Sequence, residues 1–270
     1  MTTERGERAP FLHDHLPGIA QTFADGIRLV SEYPRQMLGP MLVIQVPVSI
    51  VTSIAIAVLY LTKFSDRDPT TLFPFEGDRS ELFALAIIYA VEIFFTVISV
   101  AATIVAAAAC ARRSPLPVVE ALDPAFTRIG RLLLLVITLY LGFVLLLASI
   151  IGIPVALYLL IRLGLSGQAF MLGEGTVLET MKTSWQRTSG YMLRLTGLVL
   201  MAVLALLVVV AFSSLLGLVE PAGHDARIVT IAGIGILQSI VVIPMEAAIV
   251  AMMTLFYLNA KVQAHDVTPA

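Results

Sequence analysis

The chain has 270 residues, of which 58% are hydrophobic and only 13% charged, and its mean hydropathy is +0.93. A soluble domain carries roughly twice that share of charge, so a water-soluble globular fold is excluded and one membrane domain is expected. The net charge of -2, from 17 basic and 19 acidic residues, with the basic ones dispersed along the chain, argues against a nucleic-acid surface.

Residues 1–36 are polar and mixed, with no short apolar core of the kind a cleavable signal peptide needs. This segment is expected to stay cytoplasmic and to hold one interfacial helix. The apolar stretches that follow are measured against the roughly 20 residues that cross about 30 Å of hydrocarbon. The first, 37–62, passes. The second, 82–110, holds one charge, Glu92, and ends in an alanine-rich run that lets neighbouring helices approach closely. Residues 132–173 are twice as long as one crossing requires, so two spans, 132–151 and 153–173, are expected to break at Gly152 and Pro154. Arg162 lies in the second of these. A fifth span covers 195–219. The sixth, 230–259, contains Glu246 and is expected to be one long helix, tilted or kinked near Pro244. Residues 261–270 form a tail. The predicted fold is all-α, a six-helix transmembrane bundle.

Orientation follows from the basic residues, because Lys and Arg in short connections are retained in the cytoplasm. Arg5, Arg8, Arg28 and Arg35 precede the first span, Arg112, Arg113, Arg128 and Arg131 follow the second, and Lys182, Arg187 and Arg194 follow the fourth. The other side holds Lys63, Arg67 and Arg79 in an acid-rich loop, and Arg227. Both termini are therefore expected in the cytoplasm, with the protein in a bacterial or archaeal cytoplasmic membrane.

The chain also repeats itself. PVVEALDPAFTRIGRLLLL from Pro117 aligns with TVLETMKTSWQRTSGYMLRL from Thr176, placing Glu120 on Glu179, Phe126 on Trp185 and Arg128 on Arg187. In the two copies Val118, Val119, Leu122, Phe126, Ile129 and Leu133, and Val177, Leu178, Met181, Trp185 and Met192, recur at helical spacing, with Thr188 as the exception. Such a stripe describes an amphipathic helix lying in the interface before the chain turns inward. A looser copy around Phe23, Ile27 and Val30 precedes the first span, which suggests three units, each an interfacial helix plus a transmembrane hairpin.

In AFMLGEGTVLETMKTSWQRTSGYMLRL and the closing MTLFYLNAKVQ, the chain resembles the membrane domain attached to bacterial glycerophosphoryl diester phosphodiesterases and its stand-alone relatives. Glu174 and Gly175 stand where that family has an apolar-Glu-Gly pattern, and Ser184 and Trp185 where it has an Ala-x-x-x-Ser-Trp element, with Thr180 in place of the alanine. Tyr257, Asn259 and Lys261 replace its closing Tyr-x-Asp-x-Arg. The resemblance implies a six-helix membrane domain without the phosphodiesterase chemistry, whose soluble catalytic domain is absent from these 270 residues.

Charges inside hydrocarbon are costly, so Glu92, Arg162 and Glu246 are the intramembrane candidates. Helix rise from the cytoplasmic ends places Arg162 about 16 Å deep and Glu246 about 21 Å, within reach of each other, with Glu92 at about 28 Å. Gln45, Gln168 and Gln238 read as isolated, and no row of polar residues on one helix face is expected to line a pathway. At the interface the candidates are Glu120, Phe126, Arg128, Glu174, Glu179, Ser184, Trp185 and Arg187. His13-Asp14-His15 reads as a solvated tail rather than a metal site, the lone Cys110 as a small apolar residue, and no nucleophile motif or phosphate-binding loop is present. The expected function is non-enzymatic, without cofactor or metal, the interfacial helices contacting membrane lipid, a partner protein or a second copy. The alternative is a small transporter or channel using Arg162 and Glu246.

Overall fold

The computed structural model of the chain describes residues 11–13, 15–63, 79–149, 152–173, 175–216 and 224–266, which fold into helices with no strand among them. Glu174 and the side chain of Gln238 lie outside the described residues. In chain order the helices are α1 (Ile19–Glu32), α2 (Pro34–Lys63), α3 (Arg79–Ala111), α4 (Val118–Thr127), α5 (Ile129–Leu147), α6 (Gly152–Leu163), α7 (Ser166–Met171), α8 (Val177–Ser189), α9 (Met192–Leu216) and α10 (His224–Asp266). Without water to bond the backbone, a helix is how an apolar segment satisfies its own N–H and C=O groups. Five stretches are long and apolar enough to cross a membrane: Pro34–Leu59, Phe83–Ala111, Ile129–Leu147, Gly152–Met171 and Ile240–Gln263. A sixth is reached if α8 and α9, which meet at 105°, are counted together. The result is an all-α membrane bundle, and α10 runs unbroken through Pro244.

Helix α5 ends at Leu147 and α6 begins at Gly152, with Pro154 in its first turn. The Gly152 N–H donates to Ser149 Oγ at 2.9 Å, and a Cβ on Gly152 would collide with the Leu146 carbonyl. The span expected over 153–173 is present as Gly152–Met171, with an interruption inside it. The helix stops at Leu163 and restarts as α7 at Ser166. The 12 residues of α6 rise about 18 Å, and α7 supplies the rest of the crossing.

Helices α2, α3 and α10 pack on one another, α1 lies on α10, α4 on α3, and α8 on α6 and α7. The tightest core is at the end of the bundle where α1, α4 and α8 sit. There Ala106, Ala107 and Cys110 of α3 and Leu255, Phe256 and Tyr257 of α10 are fully or almost fully buried. Farther along, Val43, Val51 and Ile54 of α2, Leu141 and Leu145 of α5 and Leu204 and Leu207 of α9 face outward. Lipid tails are as apolar as these side chains, so such exposure is neutral in a bilayer.

The short helices dock on part of the stripes read in sequence, with Phe23, Val30, Leu122, Val177 and Met181 packed against the core. Their fully buried positions are mostly small: Thr22 and Gly26 beside the larger Leu29 in α1, Ala121 and Ala125 in α4, Thr180, Ser184 and Thr188 in α8. Thr188, the apparent exception, belongs to the packed face. Other large residues point away at matching places, Val119 and Leu178 each 77% exposed, Phe126 49% and Trp185 39%. A small residue admits the close approach of helix backbones, which a large apolar one would prevent. Ile129 and Leu133 belong to α5, because α4 ends at Thr127.

Candidate functional site

A polar cleft of about 560 Å³ lies between the candidate spans of α2, α3 and α10. Helix α2 presents Gln45, Ser49, Thr52 and Ser53 to it, α3 presents Tyr89, Glu92 and Thr96, and α10 presents Glu246. The α2 residues are spaced by four, three and one, and those of α3 by three and four, so each set lies on one helical face. The expectation that no polar row exists is therefore overturned. The signal was in the sequence, but Ser and Thr barely lower hydropathy, and a scan for charges passes over them.

Inside the cleft, Gln45 is 8% exposed. Its Nε2 donates to Glu246 Oε2 at 3.0 Å and to Ser99 Oγ at 2.8 Å. Ser99 Oγ in turn donates to the Thr96 carbonyl at 2.8 Å. One amide thus fixes a carboxylate of α10 against α3, and Gln45, read above as isolated, is the centre of the network. Glu92 lines the same cleft one turn from Tyr89. Ser49 is 6% exposed and turned to the cleft. Its hydroxyl has no hydrogen-bond partner among the described residues. The lining is rich in acceptors, and no Lys or Arg contributes to it among the described residues.

Arg162 is not part of this site, and the expected meeting with Glu246 does not occur. The depth argument assumed a helix continuing to residue 173, whereas the break after Leu163 leaves Arg162 near a helix end, beside α8. Its guanidinium lies 4.9 Å from the Trp185 ring centre and 5.3 Å from that of Tyr158. Nε donates to Tyr158 Oη at 3.0 Å and Nη1 to the Trp185 carbonyl at 3.3 Å. Stacking on two aromatic faces holds a cation without a carboxylate.

The Ser-Trp pair has a structural role at the same place. The break frees backbone groups that α6 and α7 cannot bond themselves. Ser184 Oγ donates to the Arg162 carbonyl at 2.8 Å and accepts from the Leu165 N–H at 3.2 Å, and Thr188 Oγ1 reaches the same carbonyl at 3.4 Å. One buried hydroxyl therefore bridges the gap, with Trp185 packed edge-on against Tyr158.

The other interfacial candidates serve the helix ends. Thr176 and Glu179 form a capping box at the start of α8: the Thr176 N–H donates to Glu179 Oε2 at 2.7 Å, and the Glu179 N–H to Thr176 Oγ1 at 3.4 Å. These bonds hold the Glu179 carboxyl below the usual range. Gly173 and Gly175 precede the box with φ of 93° and 106°, a region in which a Cβ would be strained. Arg128 Nη1 donates to the Phe170 and Met171 carbonyls at 3.2 and 3.4 Å, closing the end of α7. Arg187 lies 4.4 Å from the Tyr257 ring centre, while Glu120 is exposed. A smaller hollow of about 310 Å³ between Arg128, Arg131 and Thr176 faces a helix N-terminus that Glu179 already fills.

The N-terminal reading needs correction as well. Phe11 and Leu16 are buried, the His13 N–H donates to Asn259 Oδ1 at 2.8 Å, and Asn259 Nδ2 donates to the Phe11 carbonyl at 3.2 Å. His13 Nε2 lies 3.0 Å from Asp25 Oδ2, and Arg194 Nη1 donates to the Leu16 carbonyl at 2.7 Å. The segment is docked rather than solvated. Asn259 of the closing motif is what receives it. Among the described residues no group of three His, Cys, Asp or Glu side chains is placed to hold a metal ion.

No family model, no curated protein and no solved structure matches the chain.

Proposed function

We propose that this chain is a non-enzymatic polytopic protein of a bacterial or archaeal cytoplasmic membrane that binds a small polar solute in the α2–α3–α10 cleft and passes it across the bilayer. The observation that carries this reading is the cleft itself, two carboxylates and five hydroxyl-bearing residues gathered at membrane depth on helices otherwise apolar. Polar groups in hydrocarbon are retained where they face a partner or a solute path. Arg162 has no part in it, and Glu92, Gln45 and Glu246 take the place of the Arg162–Glu246 pair.

The short helices α1, α4 and α8 serve as interfacial supports resting on lipid, each opening one of three repeated helix-plus-hairpin units. The matched exposure of Val119 and Leu178, and of Phe126 and Trp185, supports this, because an aromatic or aliphatic face turned outward beside basic residues suits the headgroup boundary. The resemblance to the membrane domain of the phosphodiesterases supports the same division, with both termini and the α7–α8 connection cytoplasmic.

The test is reconstitution in liposomes loaded against a panel of butanediol, alanine, acetate and putrescine. At least one solute enters faster than in protein-free liposomes, and binding the same solute raises the unfolding temperature of the detergent-purified protein. Failure of all four on both readouts removes the reading. Orientation is checked with Lys182→Cys, since Cys110 is buried: a membrane-impermeant maleimide labels it only after cells are opened.

A further inference from the structure

The lining of the cleft narrows the class of solute. Carboxylate and hydroxyl oxygens supply most of its polar lining, the Gln45 amide donates to Glu246, and among the described residues no Lys or Arg lines it. Two acids within apolar spans are costly, and a cationic solute carrying N–H donors offsets both charges. Ser49 adds an independent sign. The residue is 6% exposed and lines the cleft, and among the described residues its side chain makes no hydrogen bond, so its hydroxyl is open to a solute entering the cleft. Size argues against a bare metal ion. A dehydrated cation needs a close cage of oxygens at about 2.3–2.6 Å, whereas the cleft of about 560 Å³ falls in the range of organic-ligand pockets, roughly 300–1,000 Å³.

We propose that the cleft is a binding site for a small organic cation, whose ammonium or guanidinium donors meet Glu92 and Glu246 while Ser49, Thr52 and Thr96 accept its remaining hydrogen bonds. This rests on the solute-binding reading above and specifies its charge. Gln45 acts as a positioning residue, holding the Glu246 carboxylate by its 3.0 Å bond.

The experiment measures binding of putrescine, butanediol and sodium to the full chain in detergent, by thermal shift and by titration, and their uptake into proteoliposomes. Putrescine binds and enters, butanediol does not, and Glu92→Gln and Glu246→Gln each weaken putrescine binding at least tenfold while the ligand-free proteins unfold no earlier than wild type. Where Glu246→Gln does not fold, Glu92→Gln and Ser49→Val carry the comparison, and unchanged putrescine affinity in Glu92→Gln overturns the proposal. Binding of butanediol without putrescine, or of sodium without putrescine, overturns the cation class and leaves the cleft as a site for another solute. Absence of all three, together with failure of the wider panel, removes the solute-binding reading itself.

Discussion

Ser184→Ala isolates the bridge across the α6–α7 break. The substitution removes a hydroxyl that donates to the Arg162 carbonyl at 2.8 Å and accepts from the Leu165 N–H at 3.2 Å. It leaves that amide, on a fully buried residue, without an acceptor, and the carbonyl with only Thr188 Oγ1 at 3.4 Å. An unsatisfied buried amide costs about 1–3 kcal/mol. Side-chain hydrogen bonds between membrane helices average nearer 0.6 kcal/mol, because the freed groups find other partners. A loss between these values, about 1.5 kcal/mol, is expected, a fall of about 3–6 °C in unfolding temperature for a chain of this size. Steric strain is not a contributor, since Ala125 occupies the matching buried position of α4. The chain has a single tryptophan, Trp185, adjacent to the bridge and stacked by Arg162 at 4.9 Å. Its fluorescence therefore follows this region during a thermal ramp in detergent. Ser189→Ala, which removes an exposed hydroxyl bonded to the Gln186 carbonyl, is the control and shifts the curve by less than about 0.5 kcal/mol in free energy. If Ser184→Ala unfolds together with that control, the hydroxyl does not hold the break.

Two further outcomes follow from the packing and the capping box. Gly26→Ala places a Cβ 3.0 Å from Met252 Cβ and 3.1 Å from its backbone, and such overpacking costs about 1–3 kcal/mol; Gly130→Ala, whose new Cβ meets nothing within 4 Å, does not destabilise, and equal unfolding temperatures for the two would refute the close α1–α10 contact. The Glu179 carboxyl is depressed from its ordinary value of 4.5 by its bonds to Thr176, so its stabilising contribution is complete above that value and is lost as pH falls through the lower folded value. Trp185 fluorescence during acid titration is expected to show α8 loosening below pH 4.5, and Glu179→Gln to flatten that response, while Thr176→Ala removes the cap at about 1 kcal/mol at neutral pH; an acid response unchanged in Glu179→Gln would count against the box.

The sequence by itself determined the class and most of the helices. Apolar length decides whether a segment crosses a bilayer, Gly152 and Pro154 mark the start of α6, and Thr176 with Glu179 three residues on caps α8, all through groups close together in the chain. Helical spacing of Gln45, Ser49 and Thr52 even carried one wall of the cleft. What only the tertiary structure decided is which faces meet. Gln45 and Glu246 are 201 residues apart, and Arg162 was given to Glu246 on depth alone when its partners are Tyr158 and Trp185. Depth follows from counting along one helix. The rotation and breaks of several helices follow from small packing residues such as Gly26, Ala125 and Ser184, because in lipid no hydrophobic force between helices chooses the face, and close backbone approach does.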